Sequence, residues 1–142
     1  WLEQAGQPNQ PLQVSTVTVA ADARLVASQS HRNHDIDRVK AELGIRDEKN
    51  IGSVGLKLSM IAEGSRDLYV NPTPKAKLWD TCAPDAIIRA AGGALTDLSG
   101  LPLNYRQAGV AHHRGIVGSN GHIHRETIAR LAPLFGSLAP PL

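Results

Sequence analysis

The sequence predicts an α/β protein in which helices cover a sheet, and three observations predict it. Short β-branched runs alternate with helical segments of about 8–12 residues, the pattern of layered α/β domains. Gly44, Gly64 and the pair Gly92-Gly93 stand where those helical segments end, as C-terminal glycines do. Apolar residues make up 42% of the 142 residues while aromatics make up 4%, so one domain's core must be built from Ala, Val, Ile and Leu.

Residues 1–11, which include Gly6-Gln7-Pro8-Asn9, read as a loop or linker. Leu12 to Ala20 is rich in β-branched residues and predicts an extended strand. Arg24 to Ser28 is a short buried strand that runs into the polar turn Gln29-Ser30-His31. From Asp35 to Leu43, Ile36, Val39, Ala41 and Leu43 recur at helical spacing. Ile51 to Val54 is a short strand or turn, leading into a helix over Leu56 to Glu63 with Leu56, Met60 and Ile61 on its buried face. Asp67 to Val70 is a strand stopped by Asn71-Pro72-Thr73-Pro74.

The next helix is expected from Cys82 to Ala91, with Thr81 as N-cap and Pro84 in the first turn. Leu95–Leu98 and Gly115–Gly118 are short strands, with Ser99-Gly100 turning the chain after the first. Ser119 or Asn120 caps a last helix whose stripe is Ile123, Ile128, Leu131 and Leu134. The folded unit therefore spans 12–135, and 136–142 is a Pro-rich flexible tail.

Several function classes are disfavoured. A formal charge of +2 with scattered Lys and Arg argues against a nucleic-acid polymer as partner. No apolar run approaches the ~18 residues of a membrane-spanning helix. A single cysteine, Cys82, excludes an internal disulfide and a multi-cysteine zinc site; it suits a reducing compartment and a cytoplasmic location. The chain opens on Trp1 and its one methionine is Met60, so a piece of a longer protein is expected.

Three segments carry chemistry. Asp80 stands by a helix N-terminus, where the dipole favours negative charge, and Mg²⁺ takes one or two carboxylates together with other oxygens. Taken alone, Asp80 is as simply a capping residue. Ser28-Gln29-Ser30-His31 suits a polar turn or a ligand-facing loop. In Gly52-Ser53-Val54-Gly55-Leu56-Lys57, small residues let backbone N–H groups approach a phosphate at a helix start. Lys57 adds a mobile positive charge there; the plainer alternative is a Ser53 cap with a solvated lysine. His112-His113 and His122-x-His124 lack ligand partners at zinc spacing and read as surface polar residues. Cys82 reads as a small packing residue, since the sequence names no base beside it.

The run Trp79-Asp80-Thr81-Cys82-Ala83-Pro84-Asp85, continuing through Ala86-Ile87-Ile88-Arg89-Ala90-Ala91 to Gly92-Gly93, resembles the C-terminal signature of the inositol monophosphatase superfamily. Its WDTCAPD form looks most like the 3'(2'),5'-bisphosphate nucleotidase branch. The resemblance covers roughly residues 24–132 and is most specific at 79–93. It implies the C-terminal α/β lobe of a sugar-phosphatase-type αβαβα fold, a mixed sheet flanked by helices. It implies Asp80 as a Mg²⁺ ligand and a metal-bound water, not a side chain, as nucleophile. The other metal ligands would come from an upstream Asp-Pro-hydrophobic-Asp-Gly-Thr/Ser motif and an upstream Glu, neither present here. A missing N-terminal lobe is thus an implied partner, and this chain alone is expected to be inactive.

The same resemblance places Ser30 and His31 at the nucleotide, and Ser53 and Lys57 at a phosphate. Lys57 marks the nucleotidase branch. Asn71 departs from it, because several bisphosphate nucleotidases place an Arg nearby; that leaves open a different sugar phosphate, or a nucleotide held by another cation such as Lys75, Lys77 or Arg89. The implied reaction is removal of the 3'-phosphate of adenosine 3',5'-bisphosphate. Hydrolysis of an inositol or sugar monophosphate is the alternative within the class, and a non-catalytic α/β binding domain the alternative outside it.

Overall fold

The computed structural model describes residue 3, residues 5–30 and residues 32–136. Among them, five strands form one mixed sheet in the order β2-β1-β3-β5-β4. The strands are β1 (Leu25–Ser28), β2 (Glu48–Ile51), β3 (Leu68–Asn71), β4 (Ala94–Thr96) and β5 (Ile116–Ser119). Helices α1 (His34–Leu43), α2 (Val54–Ala62), α3 (Leu78–Ala90) and α4 (His124–Phe135) flank it. β1 pairs in parallel with β2 and β3, while β5 runs antiparallel to β3 and β4. The parallel half follows from its connections, since α1 links β1 to β2 and α2 links β2 to β3.

Alternation along the strands sorts the core into two layers. Leu25, Ala27, Leu68, Val70 and Val117 face α1 and α4, joining Val39, Leu43 and Leu131. Val26, Tyr69, Ile116 and Leu95 point the other way, toward Leu58 and Ile61 of α2 and Ile88 of α3. α1 buries Ile36, Val39 and Leu43, and Gly44 ends it at φ 77° with its N–H on the Lys40 carbonyl. The glycine pair after α3 serves two needs. Gly92 takes φ 92°, whereas a Cβ on Gly93 would lie 2.7 Å from the Ser119 carbonyl.

Several expected boundaries are corrected. Residues 12–19 form no strand. They run past the sheet as a strap: Val14 N–H donates to the Ala91 carbonyl at 3.1 Å, and the Asn120 amide donates to the Ser15 and Val17 carbonyls at 3.4 and 2.8 Å. A helix end and a side chain satisfy this backbone instead of a ladder. The second strand lies at Glu48–Ile51 rather than 51–54. Its polar sequence suits an edge position, where one side has no neighbour.

α3 starts at Leu78 with Lys77 as N-cap, so Thr81 and Pro84 are interior. Leu56 is 52% exposed and Lys57 only 2%, so Leu56 leaves the expected buried face while Ile61 and Met60 keep to it. α4 begins at His124, with Ile123 in the cap position; Asn120 still serves that end, its Oδ1 accepting from Ile123 N–H. Among the described residues no helix is long and apolar enough to cross a membrane.

Candidate active-site cleft

The three parallel strands end on one side of the sheet, and a cleft of about 300 Å³ opens there. Its walls are the end of β1 and the loop after it (Ser28, Ser30, Asn33), the loop after β2 (Gly52, Ser53), and the end of β3 and the loop after it (Asn71, Pro72, Thr73, Lys75). The N-terminal turns of α2 and α3 contribute Lys57 and Asp80. Ligands of open α/β sheets gather at such strand ends and helix starts. The fold thus brings Ser30, Ser53, Lys57 and Asp80 to one cavity. His31 lies outside the described residues.

Asp80 is the third residue of α3. Its Oδ2 accepts from the Lys77 N–H at 2.9 Å, and its own N–H donates to the Lys77 carbonyl at 3.0 Å. The Asp80 side chain therefore serves the cap and also lines the cleft. Among the described residues no group of three or more His, Cys, Asp and Glu side chains is gathered to hold a metal ion.

Ser53 caps α2, its Oγ accepting from Leu56 N–H at 3.3 Å. Its φ of 57° with ψ 129° makes it the one described non-glycine residue at positive φ. Strained backbone of this kind concentrates at ligand sites. Lys57 is not the solvated, mobile lysine that the sequence suggested. Its Nζ donates to the Ile51 carbonyl at 3.1 Å and lies 5.2 Å from the Tyr69 ring centroid. Burial lowers its pKa. Burial also pushes the Tyr69 hydroxyl up to about 12, with the Asp80 charge adding to the rise.

Asn71 Oδ1 accepts from the Thr73 N–H and hydroxyl at 3.1 and 2.8 Å, which folds the loop after β3. Of the cations considered in place of an arginine there, Lys75 lines the cleft. Arg89 is committed elsewhere, to Asp85 at 2.6 Å and to the Leu95 carbonyl at 2.7 Å. In the loop after β1, Arg32 donates to Glu48 at 2.6 and 3.0 Å and to Asp37 at 2.6 and 3.3 Å. It thereby ties the Ser30 loop to β2 and α1. Arg32, joined by Lys40, holds the Glu48 carboxyl at about 2.

Two histidines correct the surface reading. His112 is 5% exposed, and its Nε2 shares a 2.7 Å hydrogen bond with Thr81 Oγ1. His124 contacts Thr96 Oγ1 at 2.9 Å and Ser119 Oγ at 2.8 Å. The Thr96 hydroxyl donates to the Asp97 carbonyl, so His124 Nε2–H donates to Thr96 and Nδ1 accepts from Ser119. Burial lowers the pKa of both imidazoles. Cys82, expected to pack, is exposed. Sequence reasoning also missed Tyr105 and Asp85, bonded at 3.1 Å. No local pattern ties residues 20 apart.

A mixed sheet between two helical layers, with a cleft of about 300 Å³ at the parallel strand ends, defines an open α/β lobe. The chain belongs to the Inositol monophosphatase family, whose sequence model matches residues 2–135. Among curated relatives, 3'(2'),5'-bisphosphate nucleotidase 1 of Rattus norvegicus is 37% identical over 81 residues, 57% of this chain and 26% of the relative. The 3'(2'),5'-bisphosphate nucleotidase CysQ of Escherichia coli (strain K12) is 36% identical over 108 residues, 74% of this chain and 40% of the relative. Inositol monophosphatase II of Staphylococcus aureus superposes with a TM-score of 0.72 at 21% identity, covering 91% of this chain and 47% of that one. The Thermotoga maritima inositol monophosphatase gives 0.70 at 22% identity, with 90% and 47% coverage. At those identities the solved structures speak for the fold. The chain spans about half the length of these structures and less of the curated relatives.

Proposed function

We propose that this chain is the C-terminal, substrate-binding lobe of a phosphomonoesterase that removes the 3'-phosphate of adenosine 3',5'-bisphosphate. The observation that carries the reading is the convergence of Asp80, Ser53 and Lys57 on one cleft. That cleft offers a carboxylate, a helix N-terminus and a desolvated ammonium within a single cavity. The names of the curated relatives support the nucleotide.

The donor set fits Mg²⁺ as a partial site. One carboxylate oxygen of Asp80 is held by a backbone N–H, and a single well-placed carboxylate is a usual protein contribution to a hydrated Mg²⁺. Asp80 would hold the ion, which when bound supplies Lewis-acid polarisation of the phosphate. The chain's own residues do the rest of the positioning. Lys57, anchored on Ile51 and Tyr69, presents its ammonium to a phosphate oxygen. The first turn of α2 offers backbone N–H groups. Ser30 and His31 would orient the nucleoside. The remaining carboxylates belong, on this reading, to an N-terminal lobe supplied by the longer protein, and both lobes are needed for turnover.

The second reading is an inositol or sugar monophosphatase. Asn71, which brings an amide and no charge to the cleft, favours it. Phosphate release from adenosine 3',5'-bisphosphate and from inositol 1-phosphate, assayed with Mg²⁺ on the longer protein, separates the two. A preference for the bisphosphate that Lys57→Ala abolishes supports the nucleotidase. Equal loss on both substrates sinks it.

A further inference from the structure

The first two turns of α3 are held from outside the helix by the loop between β4 and β5. Leu78 N–H, a donor without an intrahelical acceptor, donates to the Val110 carbonyl at 2.8 Å. Lys77 and Ala111 are antiparallel bridge partners, and His112 N–H donates to the Ala76 carbonyl at 3.0 Å. The loop therefore forms a short ribbon against the residues that lead into the helix.

Its side chains reach further along. His112 Nε2 meets Thr81 Oγ1 at 2.7 Å, with both residues buried at 5% and 0% exposure. The Tyr105 ring packs edge-on to His112 at 6.2 Å and 90°, and its hydroxyl donates to Asp85 Oδ2 at 3.1 Å. Asp80 sits between these anchors, with Oδ2 on the Lys77 N–H. Apolar packing already seats α3 through Ile88, so the polar contacts are not needed to bury the helix. A satisfied buried polar contact adds direction instead.

We propose that Thr81 and His112 are positioning residues for the Asp80 carboxylate, and that the loop carrying Tyr105 and His112 is the clamp that aims it into the cleft. Neither residue lines the cleft; both act through the helix turn. The inference rests on the reading of Asp80 as the cation-holding residue. Outer contacts of this kind commonly change metal affinity by 10- to 100-fold.

The test uses Mn²⁺ as the probe on the ¹⁵N-labelled chain, reading paramagnetic broadening of the amide signals of residues 77–82. Asp80→Asn is expected to abolish the broadening. Thr81→Val is expected to need about 10-fold more Mn²⁺ for the same effect, and Thr81→Ser, which keeps the hydroxyl, to restore it. If Asp80→Asn leaves the broadening intact, the cation reading fails and the clamp falls with it. If Asp80→Asn abolishes it while Thr81→Val titrates like the parent, only the positioning role is overturned. A Thr81→Ser response as weak as that of Thr81→Val would overturn it too, because keeping the hydroxyl would then not keep the aim. A thermal melt of each variant separates loss of fold from loss of aim.

Discussion

Lys57 sits at 2% exposure, with its ammonium on the Ile51 carbonyl and against the Tyr69 ring. Burying a charge costs free energy that apolar side chains of similar volume avoid. Lys57→Met is therefore expected to leave stability within about 1 kcal/mol of the parent. The same change removes a charge-assisted phosphate contact of about 1.5–3 kcal/mol, so KM for a phosphate substrate should rise about 10- to 150-fold. Steady-state kinetics beside a denaturation curve checks both halves. A large stability loss with unchanged KM would make Lys57 a structural lysine. Ser53 offers a second residue-scale test, because its backbone and side chain pull in opposite directions. Glycine relieves the positive φ and is a tolerated cap, so Ser53→Gly should be neutral or stabilising by up to about 1 kcal/mol. Ser53→Ala keeps the strain and loses the cap, for a cost of about 1–2 kcal/mol. Urea midpoints decide, and the reverse order would show that φ at Ser53 is not a source of strain.

Elements are joined by titratable groups whose sign can be worked out. His124 ties α4 to β4 and β5 through Thr96 and Ser119, and burial lowers its pKa from 6.5. A lowered histidine binds its proton more tightly in the unfolded chain. Its stabilising contribution is full above pH 6.5 and is lost as pH falls below that value. Glu48 ties β2 to α1 through Lys40 and to the Ser30 loop through Arg32. Its pKa falls from 4.5 to about 2, so its contribution is present above pH 4.5 and is lost between there and about pH 2. Stability is thus expected to decline in two stages on acidification. Glu48→Gln should cost about 1–2 kcal/mol at neutral pH and make the lower stage shallower without removing it, because Asp67, held below its usual 3.8 by Arg24, still contributes there. Denaturant midpoints from pH 8 to pH 3 measure this, and a Glu48→Gln profile parallel to the parent's would remove Glu48 from the account.

At the scale of the whole molecule the two helical layers differ outwardly. The α1 and α4 surface carries ion pairs such as Arg38–Asp35, Arg130–Glu126 and Arg130–Glu42. The α2 and α3 surface exposes Leu56 at 52%, Trp79 at 67% and Ile87 at 41%. Apolar surface of this kind promotes association. Replacing Leu56 and Ile87 together by Gln is expected to raise solubility and lower binding of a hydrophobic dye, with stability changing by about 0.5 kcal/mol or less per site. Dye fluorescence that does not fall in the double variant would show that this face is not the sticky one. The 142-residue chain assayed alone with Mg²⁺ is expected to release no measurable phosphate, and turnover by it would refute the two-lobe reading.

Local chemistry determined the alternation of strands and helices, the helix stops at Gly44, Gly64 and Gly92, and the segment Trp79 to Gly93 through which the family is legible. Those features depend on neighbours in the chain: backbone freedom at glycine, apolar periodicity and a contiguous motif. Tertiary structure decided what depends on distant partners. Residues 12–19 have the residues of a strand, yet the Asn120 amide takes their carbonyls. α3 starts four residues before the expected Cys82 because Val110 accepts from Leu78. Lys57 turns inward because Ile51 and Tyr69 receive its charge. His112 is buried because Thr81, 31 residues away, meets it across the fold. A sequence states which groups can pair, but which of them do is settled by the chain's three-dimensional path.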